Sequence, residues 1–362
     1  MNNTELVMLQ SLPLAVKVLK TKQRIREAID FFGASHLYVP VSGGKDSMVL
    51  SFIVEDVQRE LGIPKTTIPR VNSNTGNEYD DVLANARALS DLEVKPVHNL
   101  IWVLTNVGYP VGSKLTSRML QDIQNPKKTN EATRKLYLTG IKRDGTKSKS
   151  FKLAKRWHKL ASQDSKIRCS HLCCYYLKKE PLMIYEKQTG RKPVVGVMAS
   201  EGGVRKASYM KTGCNAFNSK KPESKPIGFW EEKDILHYIV LNNLFDYLPS
   251  VYGDIVRTDN GEKYTREVAL EDYKNMKRVD LKTTGENRTG CVWCMLGAHL
   301  EKGENRFQKL YYNDRRKYNF AINGGKFDKY GKLVPGNGGL GMGIILDLIG
   351  IPYKPLPRQE MR

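Results

Sequence analysis

The sequence predicts an α/β domain in which helices cover a parallel β-sheet. Three observations predict this class: a short apolar run over 36–41, a glycine loop directly after it, and amphipathic segments that alternate with further apolar runs. Strands that alternate with helices form parallel sheets. Each crossover helix returns the chain to the end of the sheet where the strands begin, so the next strand runs in the same direction. The chain has 362 residues, enough for one large domain or two ordinary ones.

The elements can be assigned in chain order. Apolar residues at helical spacing over 14–31 predict a helix that ends at Gly33. The run 36–41 predicts a buried strand, and 47–61 predicts the amphipathic helix that follows the glycine loop. The later predicted elements are strands at 68–71, 97–104 and 193–199 and helices at 77–92 and 233–248.

A polar and basic segment over 122–160 is predicted to be a mobile insertion. Between Lys127 and Lys159 it holds twelve Lys or Arg residues and two acidic residues, about half of the formal net charge of +21. Such an excess attracts polyanions. Trp157, Tyr137 and Phe151 lie among these charges, so the segment is predicted either to bind nucleic acid or to be a solvated, partly disordered insertion.

The loop between the first strand and its helix has the composition of a phosphate-binding site. Its glycines let backbone N–H groups approach a phosphate, and the start of the helix adds partial positive charge. One lysine supplies a full charge, and two serine hydroxyls can donate to phosphate oxygens. The predicted phosphate-binding residues are Ser42, Gly43, Gly44, Lys45, Asp46 and Ser47.

This loop is not a Walker loop, which needs Gly-x-x-x-x-Gly-Lys-Ser/Thr. It resembles the PP-loop of the ATP pyrophosphatase and phosphoadenosine phosphosulfate (PAPS) reductase superfamily. Four further segments resemble elements of that superfamily: Asn74–Glu78 (an Asn-Thr-Gly segment), 109–114 (the next loop), 199–201 with Arg205 (a Glu/Arg loop) and 226–239 (PI..W...DI..YI).

The resemblance implies a Rossmann-like PP-loop fold of the adenine nucleotide alpha hydrolase-like type, with ATP, PAPS or adenylylsulfate bound at the carboxyl ends of the strands. It implies a nucleotide-binding domain over 1–250, with the basic insertion inside it, and a smaller carboxyl-terminal region over 251–362. It also adds nucleotide-binding candidates outside the loop: Asn74, Thr75, Gly76, Glu201 and Arg205.

The cysteines are clustered in a way that is typical of metal ligands. Cys291 and Cys294 form a Cys-x-x-Cys pair, and Cys173 and Cys174 are adjacent. Four thiolates hold either zinc or a [4Fe–4S] cluster, and adjacent cysteines suit one tetrahedral zinc less well. The pattern resembles that of iron–sulfur adenylylsulfate reductases, which implies a [4Fe–4S] cluster. Zinc and free thiols remain alternatives, and Cys169 is a spare ligand.

Assimilatory reductases of this superfamily carry a catalytic cysteine in a Glu-Cys-Gly-x-His tail. This chain has no cysteine after Cys294, so Cys214 is the candidate for a relocated nucleophile. Basic neighbours would lower the pKa of a reactive thiol there, and a buried, inert cysteine is the favoured alternative. The candidate catalytic residues are Lys45, Asp46 and Cys214.

The favoured hypothesis is an enzyme that splits ATP with Mg²⁺ at the α-phosphate and adenylates an acceptor, which sulfur then attacks. In this it resembles DNA phosphorothioation sulfurtransferases and tRNA thiolases, and the basic 127–159 segment fits a nucleic-acid acceptor. One alternative is a PAPS or adenylylsulfate reductase that uses Cys214. The other is a non-catalytic nucleotide-binding regulator.

Location and assembly are predicted from composition. No segment approaches the ~20 apolar residues of a membrane helix, and the first residues lack the pattern of a secretion signal. We therefore expect a cytoplasmic protein with no membrane partner. A protein partner or a homodimer is left open.

Overall fold

The computed structural model describes residues 2–354. Its contacts divide the chain into two compact units, each assembled from several segments. Within the described residues, unit 1 consists of 2–74, 78–95 and 181–289, and unit 2 consists of 75–77, 96–180 and 290–354. The predicted domain division at about residue 250 stays a prediction.

The strands of the described residues fall into one parallel sheet and two short antiparallel ribbons. The ribbons pair β5 with β6 and β7 with β8. The strands are β1 (Leu37–Val41), β2 (Arg70–Ser73), β3 (Leu92–Val94), β4 (Lys192–Pro193), β5 (Ile255–Arg257), β6 (Leu281–Thr283), β7 (Lys326–Phe327) and β8 (Leu333–Val334).

Helices connect these strands and make up most of the regular structure in both units. They are α1 (Asn3–Gln10), α2 (Leu14–Phe32), α3 (Lys45–Glu60), α4 (Asp80–Leu89), α5 (Leu100–Asn106), α6 (Lys114–Gln124), α7 (Glu131–Thr139), α8 (Glu180–Thr189), α9 (Gly203–Thr212), α10 (Glu232–Leu241), α11 (Arg266–Lys274), α12 (Arg306–Asn313), α13 (Arg315–Ile322) and α14 (Met342–Ile349). No helix of residues 2–354 is both long and apolar enough to cross a membrane.

The main sheet of unit 1 is parallel and has the strand order β3-β2-β1-β4. The predicted α/β class with a Rossmann-like parallel sheet is therefore confirmed. The chain leaves β1 toward β2 on one side, and β4 returns on the other side. Such a reversal of strand order opens a crevice at the carboxyl ends of the strands, where open α/β sheets bind ligands.

The centre of the sheet is apolar because helices cover it. Leu37, Val39 and Val41 of β1 are buried with exposures of at most 2%, and α2 and α3 pack in the same core. Burial of consecutive strand residues is expected for a parallel sheet. A hydrogen bond from Trp230 Nε1 to Thr21 Oγ1, 2.9 Å long, satisfies the polar atom of the largest buried side chain.

Two predicted strands are wrong in type or extent. The run 97–104 was expected to be the third strand, but the strand is β3, and Leu100–Asn106 is the helix α5. A short apolar run does not distinguish a strand from a helix, and here Asn99 caps the helix by accepting from the Trp102 amide at 2.9 Å. The predicted strand over 193–199 shortens to the two residues of β4.

The basic insertion over 122–160 is folded, so the expectation of a mobile insertion is wrong. It contains α7, and Tyr137 and Trp157 are buried with exposures of 4% and 3%. The Trp157 ring packs so closely that a Cβ added at Gly112 would lie 2.8 Å from it. Two of the three rings expected to meet bases are therefore core residues, and only Phe151, 42% exposed, remains on the surface.

Candidate functional site

The predicted phosphate loop lies at the carboxyl end of β1, next to the crevice in strand order. Gly43 has a φ of +76°, and a Cβ there would lie 2.0 Å from the backbone oxygen of Val82, so only glycine fits. The backbone N–H of Ser42 donates to Ser47 Oγ at 3.1 Å, and the two serine hydroxyls are 3.1 Å apart. The loop is therefore a closed turn at the start of α3.

Lys45 is buried at the first position of α3, and groups of unit 1 hydrogen-bond and pair with its ammonium group. Its ammonium nitrogen donates to the backbone oxygen of Asn287 at 2.6 Å and lies 2.9 Å from Glu232 Oε1. The ammonium also lies 4.9 Å from the centre of the Tyr252 ring. The Tyr252 hydroxyl accepts a hydrogen bond from the Lys45 backbone N–H at 3.3 Å and lies 2.8 Å from Thr289 Oγ1.

Asp46 is the least satisfied group of the loop. Its Oδ1 atom is buried and has no hydrogen-bond partner among the described residues. Burial raises the pKa of this carboxyl group, and the cations of Lys45, Arg288 and Arg205 oppose the rise. A buried carboxylate oxygen without a donor is suited to a hard cation such as Mg²⁺, which prefers oxygen ligands.

Two arginines flank the loop and share one carboxylate. Arg205 of α9 forms an ion pair with Glu201, and Arg288 Nη1 lies 3.3 Å from the same Glu201 oxygen. Burial lowers the pKa of Arg205, and Arg288 adds to this effect. The Glu/Arg loop predicted at 199–205 is therefore completed by an arginine far along the chain.

One open cleft of about 420 Å³ within unit 1 is lined by most of these groups, but not by Arg205 or Tyr252. Cations and carboxylates are mixed on its walls. The lining residues are Lys45, Asp46, Met198, Ser200, Glu201, Glu231, Glu232, Lys233, Thr258, Asp280, Leu281 and Arg288. Sequence reasoning missed Arg288 and Tyr252, because they lie in no recognised motif and only the fold brings them to the loop. It also assigned no role to Glu232, although this residue lies inside the 226–239 segment.

The other predicted nucleotide-binding segment is divided between the units. Asn74 belongs to unit 1, where its N–H donates to the Val94 backbone oxygen at 3.0 Å and its side chain lowers the pKa of Glu93 by hydrogen bonding. Thr75 and Gly76 belong to unit 2. Their neighbour Asn77 donates to the Thr75 backbone oxygen at 2.9 Å, which closes a tight turn.

Comparisons with known proteins add little to this geometry. No family model matches the chain, and no curated protein matches it. Among solved structures, the chain is similar to that of a phosphoadenylyl-sulfate (PAPS) reductase from Candida auris in complex with phosphate. The match has 12% sequence identity and a TM-score of 0.34, and it covers 67% of this chain and 88% of that one. A likeness at this level carries no argument about what this chain binds.

The four predicted metal ligands lie together in unit 2, and we call them the thiol cluster: Cys173, Cys174, Cys291 and Cys294. Burial raises the pKa of Cys173, and the other three thiols raise it further, as expected for neighbouring groups that all acquire negative charge. Burial also raises the pKa of Cys294. The backbone N–H of Val292, inside the Cys-x-x-Cys pair, donates to the Asn77 oxygen at 2.8 Å.

The four thiols are suited to a thiophilic metal ion or cluster, although they are not arranged in a coordination geometry. Within residues 2–354, no group of three or more His, Cys, Asp or Glu side chains is arranged to hold a metal ion. Zinc and iron–sulfur clusters are nevertheless commonly held by four thiolates, and the four thiols here interact electrostatically. Cys169 is separate from this set in its contacts: it is fully buried, and burial raises its pKa to about 12.

The Cys214 thiol does not have the lowered pKa that a reactive nucleophile would need. Burial raises its pKa, and the basic neighbours only oppose that rise. Its Sγ lies 3.4 Å from the Tyr209 hydroxyl, and it packs against the main core of unit 1. Cys214 is not among the residues that line the cleft.

Proposed function

We propose that the cleft of unit 1 binds the phosphates of an adenine nucleotide and that the protein is an ATP-dependent enzyme of sulfur transfer. The observation that carries the proposal is the loop Ser42–Ser47 at the switch in strand order, with Lys45, Arg205 and Arg288 around it. Three cations beside a turn of backbone N–H groups at a helix start are suited to a polyphosphate.

The chemistry follows from where these charges lie. An acceptor hydroxyl or enol oxygen attacks the α-phosphate of ATP, the bond to the β-phosphate breaks, and pyrophosphate leaves. Lys45 and the arginines stabilise the negative charge that develops on the leaving group. Asp46 would provide an oxygen ligand for Mg²⁺, which would supply further positive charge to the phosphates. The product is an adenylated acceptor, and attack by sulfide releases AMP and leaves sulfur bound to the acceptor.

The thiol cluster is the part of the chain suited to sulfur handling. Cys173, Cys174, Cys291 and Cys294 would hold a [4Fe–4S] cluster, with zinc as the alternative. If only three of the four thiols held the cluster, it would supply an open iron that can bind sulfide; held by all four, it would have no open iron. Cys169 and Cys214 are buried in other surroundings, and neither is assigned a part in this chemistry.

The experiment that tests the nucleotide chemistry measures pyrophosphate release from ATP by the full chain with Mg²⁺ and nucleic acid as the acceptor. We expect release that is lost in Lys45→Ala and kept in Lys233→Ala, since Lys233 also lines the cleft but pairs with Glu231 and Asp280. Tight ATP binding without release of pyrophosphate would instead indicate a nucleotide-binding regulator.

The same preparation separates the reductase alternative. Supplied with PAPS or adenylylsulfate and a thiol reductant, a reductase with a relocated nucleophile would release sulfite, and Cys214→Ala would abolish that release. We expect no sulfite, because the raised pKa of Cys214 leaves little thiolate at neutral pH. Release of sulfite that depends on Cys214 would overturn the proposal.

A further inference from the structure

The cations of the segment 127–159 form an exposed surface that its own chain does not neutralise. Of the twelve, eleven are exposed and Arg134 is partly buried. In residues 2–354, no ion pair joins any of these twelve to an acidic side chain, whereas most lysines and arginines that flank the main sheet are paired. We call the twelve the basic surface: Lys127, Lys128, Arg134, Lys135, Lys142, Arg143, Lys147, Lys149, Lys152, Lys155, Arg156 and Lys159.

A folded scaffold holds these charges in place. Tyr137, Leu153 and Trp157 are buried beneath the segment, and the Leu153 N–H donates to the Tyr137 oxygen at 2.8 Å. Beyond α7, the chain forms a tight hairpin in which Ile141 pairs with Lys147. Holding like charges together costs repulsion energy. Cations that are already ordered lose less entropy when a ligand binds, so this arrangement indicates a site for a polyanion.

Two details indicate the kind of polyanion. Phe151 remains 42% exposed, and its ring is stacked on that of Tyr137 with an interplanar angle of 24°, so one face of a fixed aromatic ring is available. A groove of about 520 Å³ beside α7 is lined by Lys127, Lys128, Arg134 and Lys135. Cations along a groove together with an exposed ring suit phosphates and an unpaired base.

We propose that the basic surface binds a nucleic-acid strand, with the cations on its phosphates and Phe151 against an unpaired base. Binding at this surface does not depend on the nucleotide chemistry of the cleft. The assignment of this nucleic acid as the acceptor to which sulfur is transferred rests on the proposed function. The two are separable by experiment, because binding and turnover are measured independently.

The test is the anisotropy of a labelled single-stranded oligonucleotide titrated with the full chain at several salt concentrations. We expect log Kd to rise linearly with log salt, with a slope of about 0.7 per phosphate contact for a single strand. The hairpin variant removes four exposed cations of the hairpin: Lys142→Ala, Arg143→Ala, Lys147→Ala and Lys149→Ala. It should bind roughly tenfold more weakly, with a smaller salt slope.

A matched control removes the same charge from exposed lysines of unit 1: Lys187→Ala, Lys220→Ala, Lys221→Ala and Lys274→Ala. It should bind as the parent protein does. Equal losses in the two variants would mean a response to net charge alone and would overturn the proposal. The variant Phe151→Ala should bind the single strand roughly fivefold more weakly and a duplex unchanged.

Other outcomes also count against the inference. Absence of oligonucleotide binding at low salt would overturn it, whatever the cleft does with ATP. Binding to vesicles that contain phosphatidylserine, lost in the hairpin variant and without oligonucleotide binding, would assign the surface to a membrane and overturn it as well. If the hairpin variant loses both strand binding and the pyrophosphate release that the strand induces, the surface and the assignment of nucleic acid as the acceptor are both supported. If it still releases pyrophosphate without binding the strand, the ATP chemistry stands and nucleic acid is not the acceptor.

Discussion

The ammonium nitrogen of Lys45 lies 2.9 Å from a carboxylate oxygen of Glu232, and this pair lies in the cleft where phosphates are proposed to bind. The lysine is buried, whereas 42% of the glutamate side chain is exposed. A phosphate that reaches Lys45 must therefore replace Glu232 as the partner of this charge. Under the proposed function, Glu232 would be an internal competitor for the nucleotide.

Removing that competitor should tighten nucleotide binding. A partly exposed ion pair is worth about 0.2–1 kcal/mol, so Glu232→Gln should lower the Kd for ATP roughly twofold to fivefold. Glu231→Gln is the matched control, since Glu231 lines the same cleft but pairs with Arg278 and Lys233. Isothermal titration measures both variants, and weaker binding in Glu232→Gln would contradict the competition.

The buried carboxyl group of Asp46 should cost stability at neutral pH. Its pKa is raised in the folded chain, so folding favours the protonated form, and stability is lost as the pH rises from 3.8, its ordinary value, through the raised value. Asp46→Asn removes this charge and should raise the free energy of unfolding by roughly 1 kcal/mol at neutral pH.

Urea unfolding near pH 4 and near pH 7 tests that expectation. The gain of Asp46→Asn should be larger at the higher pH, and Mg²⁺ with ATP should stabilise the parent protein more than the variant. A gain that is the same at both values would mean that charge burial is not its cause.

Gly43 should not accept any side chain. Gly43→Ala places a Cβ 2.0 Å from the Val82 oxygen at a φ of +76°, so we expect the loop to shift and ATP binding to be lost. Gly62→Ala is the control for backbone strain alone, because Gly62 has a φ of +66° with nothing within 4 Å of an added Cβ. The control should lose only about 1–2 kcal/mol and bind ATP normally.

Trp157 should be a core residue rather than a nucleic-acid contact. Trp157→Ala empties a site that is 3% exposed and should lower the free energy of unfolding by about 3–5 kcal/mol. Phe151→Ala, at an exposed ring of the same segment, should lower it by no more than ~0.5 kcal/mol. Chemical denaturation compares them, and a small loss in Trp157→Ala would mean that the segment is not anchored there.

The thiol cluster should determine iron content. Protein purified without oxygen should contain iron and acid-labile sulfide, and Cys291→Ser should lose both. Cys169→Ala and Cys214→Ala should keep both, since neither of these thiols is among those that raise the pKa of Cys173. One zinc per chain and no sulfide would contradict the iron–sulfur assignment while leaving the four ligands in place.

Local sequence patterns predicted the phosphate loop because all of its determinants are neighbours in the chain. Strand β1, the glycines and helix α3 lie within 37–60, and their burial and turn conformation follow from residue type. The strand prediction for 97–104 was wrong because the apolar residues of this run suit a buried strand as well as a helix. Only the cap at Asn99 distinguishes the two. Arg288 and Tyr252 were missed because each reaches the loop through the fold.

The contacts of Tyr252 with the loop have a kinetic consequence. The Tyr252 hydroxyl accepts a hydrogen bond from the Lys45 backbone N–H, and the backbone oxygen of Asn287 accepts one from the Lys45 ammonium group. If ATP binds at this loop as proposed, it enters only after these bonds open, so stopped-flow traces should show an observed rate that levels off at high ATP concentration. That plateau is the opening rate, and Tyr252→Phe, which removes one of the bonds, should raise it.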